Sequence, residues 1–237
     1  GRYSDWNKKP PLGKHYPDRP LISLDATIPL DSKVREAYRV FEVAANKPFR
    51  SVIGTAREAF PPKADGVPEC ALGDLAADAF RDWARTDVAI VDMAQSMYSG
   101  WPAGPIRPSE VFGLDLGGYT EHYVVSAKMK GADLLKTLQD STTQRKAIGD
   151  CYSGLTLTYK IQNGAPVIGR VMIGGAAIDP ARTYSVCAWS ARMTQIERSV
   201  PTEVIPGELK TGRDVIIDYI RAKGVLDAPT QGRVRQE

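Results

Sequence analysis

Two histidines and three cysteines set narrow limits on the chemistry open to this 237-residue chain. His15 sits among prolines near the start, and His122 opens the apolar run "HYVVSAKM". A Ser-His-Asp or Cys-His arrangement would have to use one of these two, because the nucleophile needs a base within hydrogen-bond reach. Glu121 adjoins His122, but neighbours in a regular strand point to opposite faces. Cys70, Cys151 and Cys187 form no C-x-x-C pair, whereas a structural zinc site takes about four Cys/His ligands at close spacing. If a disulfide forms at all, Cys70 with Cys151 is the expected pair, since both lie in loop-like sequence. Cys187, inside an apolar run, reads as a buried thiol. The chain has no P-loop, G-x-G-x-x-G, H-E-x-x-H, G-x-S-x-G or EF-hand loop.

Binding chemistry is better represented. In "TDVAIVDMAQSMYSGWPAG", residues 86–104, a short apolar run leads into a loop carrying Met97, Tyr98 and Trp101. A loop at the end of a buried strand is a common place for ligand contacts. Trp101, between Gly100 and Pro102, is expected to be an exposed ring that marks a contact surface. Trp189 ends another apolar run and is expected in the core.

These residues need elements to hold them. Residues 1–30 carry five prolines interspersed with Lys and Arg, which reads as an extended arm or linker, or else as a tail packed along the domain surface, and residues 31–237 read as one domain. Asp31 or Ser32 can cap a helix with Val34, Tyr38, Phe41 and Ala45 on one face. A turn and a short strand are expected at "PFRSVIGTA". Helical spacing of apolar residues predicts helices over 70–85, 130–141 and 212–223, the last stopped by Gly224. "RPSEVFG" predicts a short helical turn capped by Ser109. "YSGLTLTYKIQNG", "PVIGRVMIGG" and "TYSVCAWSA" are strand-like runs joined by tight turns. Helices alternating with strands, then strands joined by turns, predict an α+β fold in which the helices pack on a mixed sheet.

The composition excludes several classes of partner. Lys and Arg number 31 against 28 Asp and Glu, a net charge of +3, and no basic run could form a nucleic-acid stripe. No apolar stretch approaches the length of a membrane span. No signal peptide is read in the sequence, and the start "GRYSDW" is expected to be a mature or trimmed terminus.

The order of segments from Glu69 to Ala191 resembles the C-terminal domain of the 5'-nucleotidase family, which includes UDP-sugar hydrolases and the sulfur-oxidation thiosulfohydrolase. The matching pieces run "ALGDLAADAFR", "TDVAIVD", "GPIRPSEVF", "KMKGADLLKTLQDS" and "YSGLTLTYKIQNGAPVIGRVMIGGAAIDPARTYSVCAW". The lead-in "DATIPLDSKVREAY" is similar too, and the tail "DVIIDYIRAKGVLDAPTQGRV" is most similar to the thiosulfohydrolase branch. The resemblance implies a protein of two parts. An N-terminal calcineurin-like metallophosphoesterase domain would carry a dinuclear metal centre, and the C-terminal domain would supply the wall that recognises substrate. This chain has no D-x-H, G-N-H-D or G-H-x-H segment. No cofactor is therefore expected in it, and alone it is expected to be inactive.

It also departs from the family at three places. The loop after "VAIV" lacks the Gly-Gly and the substrate-gripping Arg. "LGGYTEHY" stands where a Pro-Phe-Gly-Asn turn is usual, and "SARMTQIERSVP" where a Gly-Gly-Asp turn with a stacking Phe is usual. Without its aromatic faces, each worth about 1–3 kcal/mol, the site cannot hold a base. The expectation is a substrate-specificity domain for a non-nucleotide substrate, with loops 92–104, 115–123 and 189–199 converging on one sheet edge. Tyr98, Trp101, Arg107, Tyr119, His122 and Arg192 would line its rim. The alternative is a non-catalytic binding or scaffold module that docks a partner domain or subunit. The resemblance implies a periplasmic or extracellular location.

Overall fold

The structure, a computed structural model, describes residues 31–63, 67–92, 100–114, 122–229 and 232–237. Two units divide the chain, Gly1–Ala45 and Asn46–Glu237. Asp31, in the first, caps helix α1 (Ser32–Arg50), whose residues from Asn46 onward are counted in the second: its Oδ1 accepts from the backbone N–H groups of Lys33 and Val34 at 2.9 and 3.1 Å. Val34, Tyr38 and Phe41 follow at spacings of four and three, and all three are exposed. The helix continues through Pro48, so the turn expected there comes only after Arg50. Pro48 lies in the last turn, where its missing N–H removes a single bond, and the Ser51 hydroxyl donates to its carbonyl at 2.9 Å.

The second unit continues with β1 (Gly54–Ala56), α2 (Ala71–Ala84), β2 (Val88–Asp92), β3 (Gly104–Ile106) and α3 (Pro108–Phe112). Next come β4 (Tyr123–Lys130), α4 (Gly131–Arg145), β5 (Asp150–Ser153), β6 (Leu155–Gln162), β7 (Ala165–Ile173) and β8 (Ala176–Ala177). The chain closes with β9 (Thr183–Trp189), α5 (Ser190–Glu197), β10 (Glu203–Thr211), α6 (Gly212–Lys223), β11 (Val225–Leu226) and β12 (Val234–Gln236). The fold is α+β with mixed sheets, as expected. The central sheet has the order β10-β4-β9-β2-β5, with β2 and β9 parallel and the other pairs antiparallel. A second sheet runs β12-β6-β7-β8 and a small one β11-β1-β3.

Burial on both faces explains why β2 reads as an unbroken apolar run. Val88 and Ile90 enter one core with Leu134 and Leu138 of α4, Val186 and Met193. Ala89 and Val91 enter the other with Leu72, Leu75 and Phe80 of α2 and Ile216 and Ile220 of α6. Each such Leu, Ile or Phe contributes roughly 1.5–3 kcal/mol by leaving water. The three cysteines are buried thiols, and no disulfide joins them. The Cys151 thiol donates to the Cys70 carbonyl at 3.6 Å, and burial pushes the Cys187 thiol up to about 12.

Three local details differ from expectation. "YSGLTLTYKIQ" is two strands in two sheets, because Gly154 breaks it at φ 76. A Cβ there would lie 2.1 Å from the Asp87 carbonyl oxygen, so only glycine fits the turn. Ser109 does not cap α3. Arg107 is the capping residue, with Pro108 next, and the Glu110 carboxylate accepts from the Arg107 N–H at 2.8 Å. Residues 190–197, expected as loop, form α5, and β10 has no counterpart in the sequence reading.

Candidate functional site

Strand register gathers the candidate residues. Ile90 of β2 pairs with Ala188 of β9, and Val124 of β4 pairs with Trp189. The end of β2, the end of β9 and the start of β4 therefore lie side by side on one edge of the central sheet. In sequence, residues 93–99 follow β2 and residues 115–121 precede His122 and β4. Both segments, with Tyr98 and Tyr119, lie outside the described residues.

His122 and Ser190 meet at the edge. The imidazole Nδ1 is 3.1 Å from the Ser190 hydroxyl, and the ring stands 5.5 Å from the Trp189 ring at an interplanar angle of 58°. Both residues are half-buried. Trp189 itself is core, as expected, and its indole N–H has no partner among the described residues.

Behind them lies a chain of alternating charges. The Arg145 guanidinium, from the last turn of α4, donates to both oxygens of Asp92 at 2.8 Å. It also lies 3.6 Å from Asp150. Burial works to lower the pKa of Arg145, but the Asp92 hydrogen bonds and the Asp150 charge outweigh it and raise it. Asp150 is fully buried, accepts from Ser141 at 2.9 Å and receives the Arg192 guanidinium at 2.7 Å. Burial, followed by the Asp150 charge, pushes the adjoining Tyr152 hydroxyl well above its ordinary value.

Arg192 is accordingly not set on an open rim. It is 6% exposed, with Asp150 holding one side of its fork and Gln195 the other at 3.2 Å. Trp101 requires a correction: it is 6% exposed, not an exposed ring. It exchanges two backbone hydrogen bonds of 2.9 Å with Phe60, and this bridge turns its ring into the core, 5.8 Å from the Phe60 ring. Gly100 permits the approach, since a Cβ there would lie 2.4 Å from the Phe60 oxygen. Arg107 follows β3 of the small sheet and begins α3, so different elements position it from those that carry His122 and Arg192.

Sequence reasoning did not single out Asp92, Arg145, Asp150 or Ser190. The signal for Asp92 was an acid directly ending a buried strand. For the other three, the pairing is long-range and has no local signature. Among the described residues no group of three or more His, Cys, Asp or Glu could hold a metal ion. The charges at the edge pair with one another, although Asp150 Oδ1 and Arg192 Nε have no hydrogen-bond partner among the described residues, and His122 with Ser190 brings hydrogen-bonding groups to the same place. A groove of about 490 Å³ lined by Trp83, Val125, Ile205 and Leu209 includes neither His122 nor Arg192.

Residues 52–197 match the model of the 5'-nucleotidase, C-terminal domain. The chain belongs to this family. A search of curated protein sequences matches nothing. Among solved structures, the 5'-nucleotidase precursor of Thermus thermophilus is similar, at 18% identity and a TM-score of 0.72 over 88% of this chain and 44% of that one. The NAD nucleotidase NadN of Haemophilus influenzae gives 12% and 0.67 over 87% of this chain and 41% of its own. The Thermus thermophilus sulfate thiohydrolase SoxB gives 17% and 0.68 over 86% and 38%. At these identities the likeness shows the fold. This 5'-nucleotidase C-terminal domain spans less than half the length of each of these relatives.

Proposed function

We propose that this chain is the substrate-recognising domain of a two-part metallophosphoesterase-type hydrolase, and that its substrate is not a nucleotide. The single observation carrying this reading is the segment after β9. Where the family's stacking turn is expected, this chain has helix α5, "SARMTQIE", which contains no aromatic residue. Its Arg192 is committed to Asp150, so neither a ring nor a free guanidinium from α5 is offered to a base or phosphate. The metal ions would be held by a calcineurin-like domain N-terminal to this one or by another subunit. The greater length of the solved relatives supports that division. His122 and Ser190, with the loops around them, would form part of the wall facing that centre.

A periplasmic or extracellular location fits this reading. One relative is a precursor, and no helix among the described residues is long and apolar enough to cross a membrane.

Two measurements test the proposal. Adenosine and AMP should leave tryptophan emission unchanged, because Trp189 stands beside His122 at the edge where a base would sit. Saturable micromolar binding would overturn the non-nucleotide reading. The reading frame preceding Gly1 should encode a domain with the metal ligands of a calcineurin-like phosphoesterase. A different domain there would favour a non-catalytic binding or scaffold module.

A further inference from the structure

Away from the sheet edge, helix α1 leaves a stripe of apolar side chains in water. Val34, Tyr38 and Phe41 are 59, 42 and 74% exposed, and Phe41 is the most exposed large apolar side chain among the described residues. Their spacing of four and three residues sets them along one line of the helix. The stripe belongs to the first unit, which ends at Ala45. Its flanks are basic. Consecutive helical residues lie about 100° apart, so Lys33 and Arg35 stand on either side of Val34 and Arg39 stands beside Tyr38. Glu36, two residues on from Val34, falls on the far side. Among the described residues no ion pair takes up Lys33, Arg35 or Arg39.

The same sign runs through the sequence around the helix. Residues 1–50 carry ten Lys and Arg against six Asp and Glu, whereas residues 51–237 carry 21 against 22. The positive excess of the chain therefore lies wholly in its first fifty residues. How that charge is distributed decides what fits the stripe. A protein groove matches charges position by position. Here the cations are dispersed, five of them (Arg2, Lys8, Lys9, Lys14 and Arg19) preceding α1 among the prolines. An anionic bilayer attracts the sum of such charges and requires no pattern. A basic amphipathic helix adds to that attraction by burying a narrow apolar face at the headgroup boundary, where aromatic rings are favoured.

We propose that α1 is an interfacial helix: Val34, Tyr38 and Phe41 enter the headgroup boundary of an anionic membrane, and Lys33, Arg35 and Arg39 meet its lipid phosphates. The helix lies on the surface, since no helix among the described residues is long and apolar enough to cross a membrane. Attachment is reversible, because three apolar side chains make a weak anchor and the charges must act with them. None of these residues belongs to the sheet edge, so the inference stands apart from the reading of the substrate.

Co-sedimentation of the 237-residue chain with large vesicles reads this directly. Vesicles containing phosphatidylglycerol should bind the chain, and vesicles of phosphatidylcholine alone should bind it at least about tenfold less. Raising the salt from about 0.1 to 1 M shortens the screening length from about 10 to 3 Å and should release most of it. Arg35→Gln and Arg39→Gln should each weaken binding about fivefold, and Phe41→Ala about tenfold. Val43 is similarly exposed, at 66%, but stands nine residues from Val34, two and a half turns round to the opposite face. Val43→Ala should therefore bind as wild type does. All four substitutions are at exposed positions, and far-ultraviolet circular dichroism checks that the fold is kept. Equal binding to both kinds of vesicle, binding to neither, or binding that survives Phe41→Ala would overturn the proposal. So would a dimer in solution that Phe41→Ala abolishes, which would give the stripe to a second copy. Loss of vesicle binding once a preceding domain is joined to the chain would give the stripe to that domain instead.

Discussion

Removing one charge from the Asp150–Arg192 pair tests the central claim about the site edge, that Arg192 is fixed inside the domain. Asp150 is fully buried and Arg192 is 6% exposed, so water compensates neither charge. Breaking a buried pair by neutralising one partner costs about 3–5 kcal/mol, chiefly because the other charge is left buried and unpaired. The two halves of this pair are not equivalent. Asp150→Asn keeps an amide oxygen near Arg192 but leaves the guanidinium buried without its nearest opposite charge, with Gln195 at 3.2 Å, so a penalty of about 3–5 kcal/mol is expected. Arg192→Met leaves Asp150 with the Ser141 hydroxyl at 2.9 Å and Arg145 at 3.6 Å. A loss of about 2–3 kcal/mol is expected there, the scale of a hydrogen bond to a charged group plus partial exposure of the deficit.

The double variant should lose less than the sum of the two single losses, because removing both charges together leaves neither orphaned. A coupling of about 1–2 kcal/mol is expected from residues in direct contact. Urea unfolding followed by tryptophan emission and far-ultraviolet circular dichroism measures all three variants. If Arg192→Met stays within about 0.5 kcal/mol of wild type, Arg192 is not committed to Asp150. It would then be available to a ligand at the rim, and the structural reasoning fails.

Three other outcomes follow from the same packing. Trp101→Ala should destabilise the domain by about 3–5 kcal/mol, the usual cost of emptying a core aromatic site; a loss below about 1 kcal/mol would return Trp101 to the surface. The isolated chain should hydrolyse neither nucleotides nor generic phosphate esters with added manganese or zinc, and metal-dependent turnover surviving re-purification would contradict this. Limited proteolysis should trim residues before Asp31 and leave a stable fragment; early cleavage within residues 150–190 would refute a single domain over 31–237.

The contrast between α2 and Trp101 shows where the sequence is informative. Helix α2 was legible because its apolar residues recur at helical spacing and bury against a sheet, so the local pattern and the tertiary environment agree. Strand β2 was legible because four consecutive apolar residues have few other uses. Trp101 was misjudged because Gly100 and Pro102 signal a loop but do not say where the ring goes. A backbone bridge to Phe60, some forty residues earlier, decides that. Helix α5 and strand β10 were missed for related reasons. Of the eight residues of α5, three are buried, and one of these is a charged arginine, so the usual apolar stripe is interrupted where Arg192 turns inward. Strand β10 is an edge strand whose register shifts between Ile205 and Lys210, across Pro206 and Gly207, and both residues are depleted in strands.

The charge network at the sheet edge was beyond local reading altogether. Asp92, Arg145, Asp150 and Arg192 come from four separate elements, and each alone looks like a solvated surface charge. Burial makes their alternation matter, because an unmatched member would be costly whereas the matched set holds four elements together at one end of the sheet. Arg192, expected on the rim, is instead a buried member of this network. The buried charges tie Asp92 at the end of β2 and Arg192 just after β9 to α4 and β5, and the recognition proposed above would fall to His122 and Ser190 at the same edge. A ligand of this domain should therefore respond to His122→Ala or Ser190→Ala with little change in stability. Arg192 variants should alter stability first, and affinity only through it.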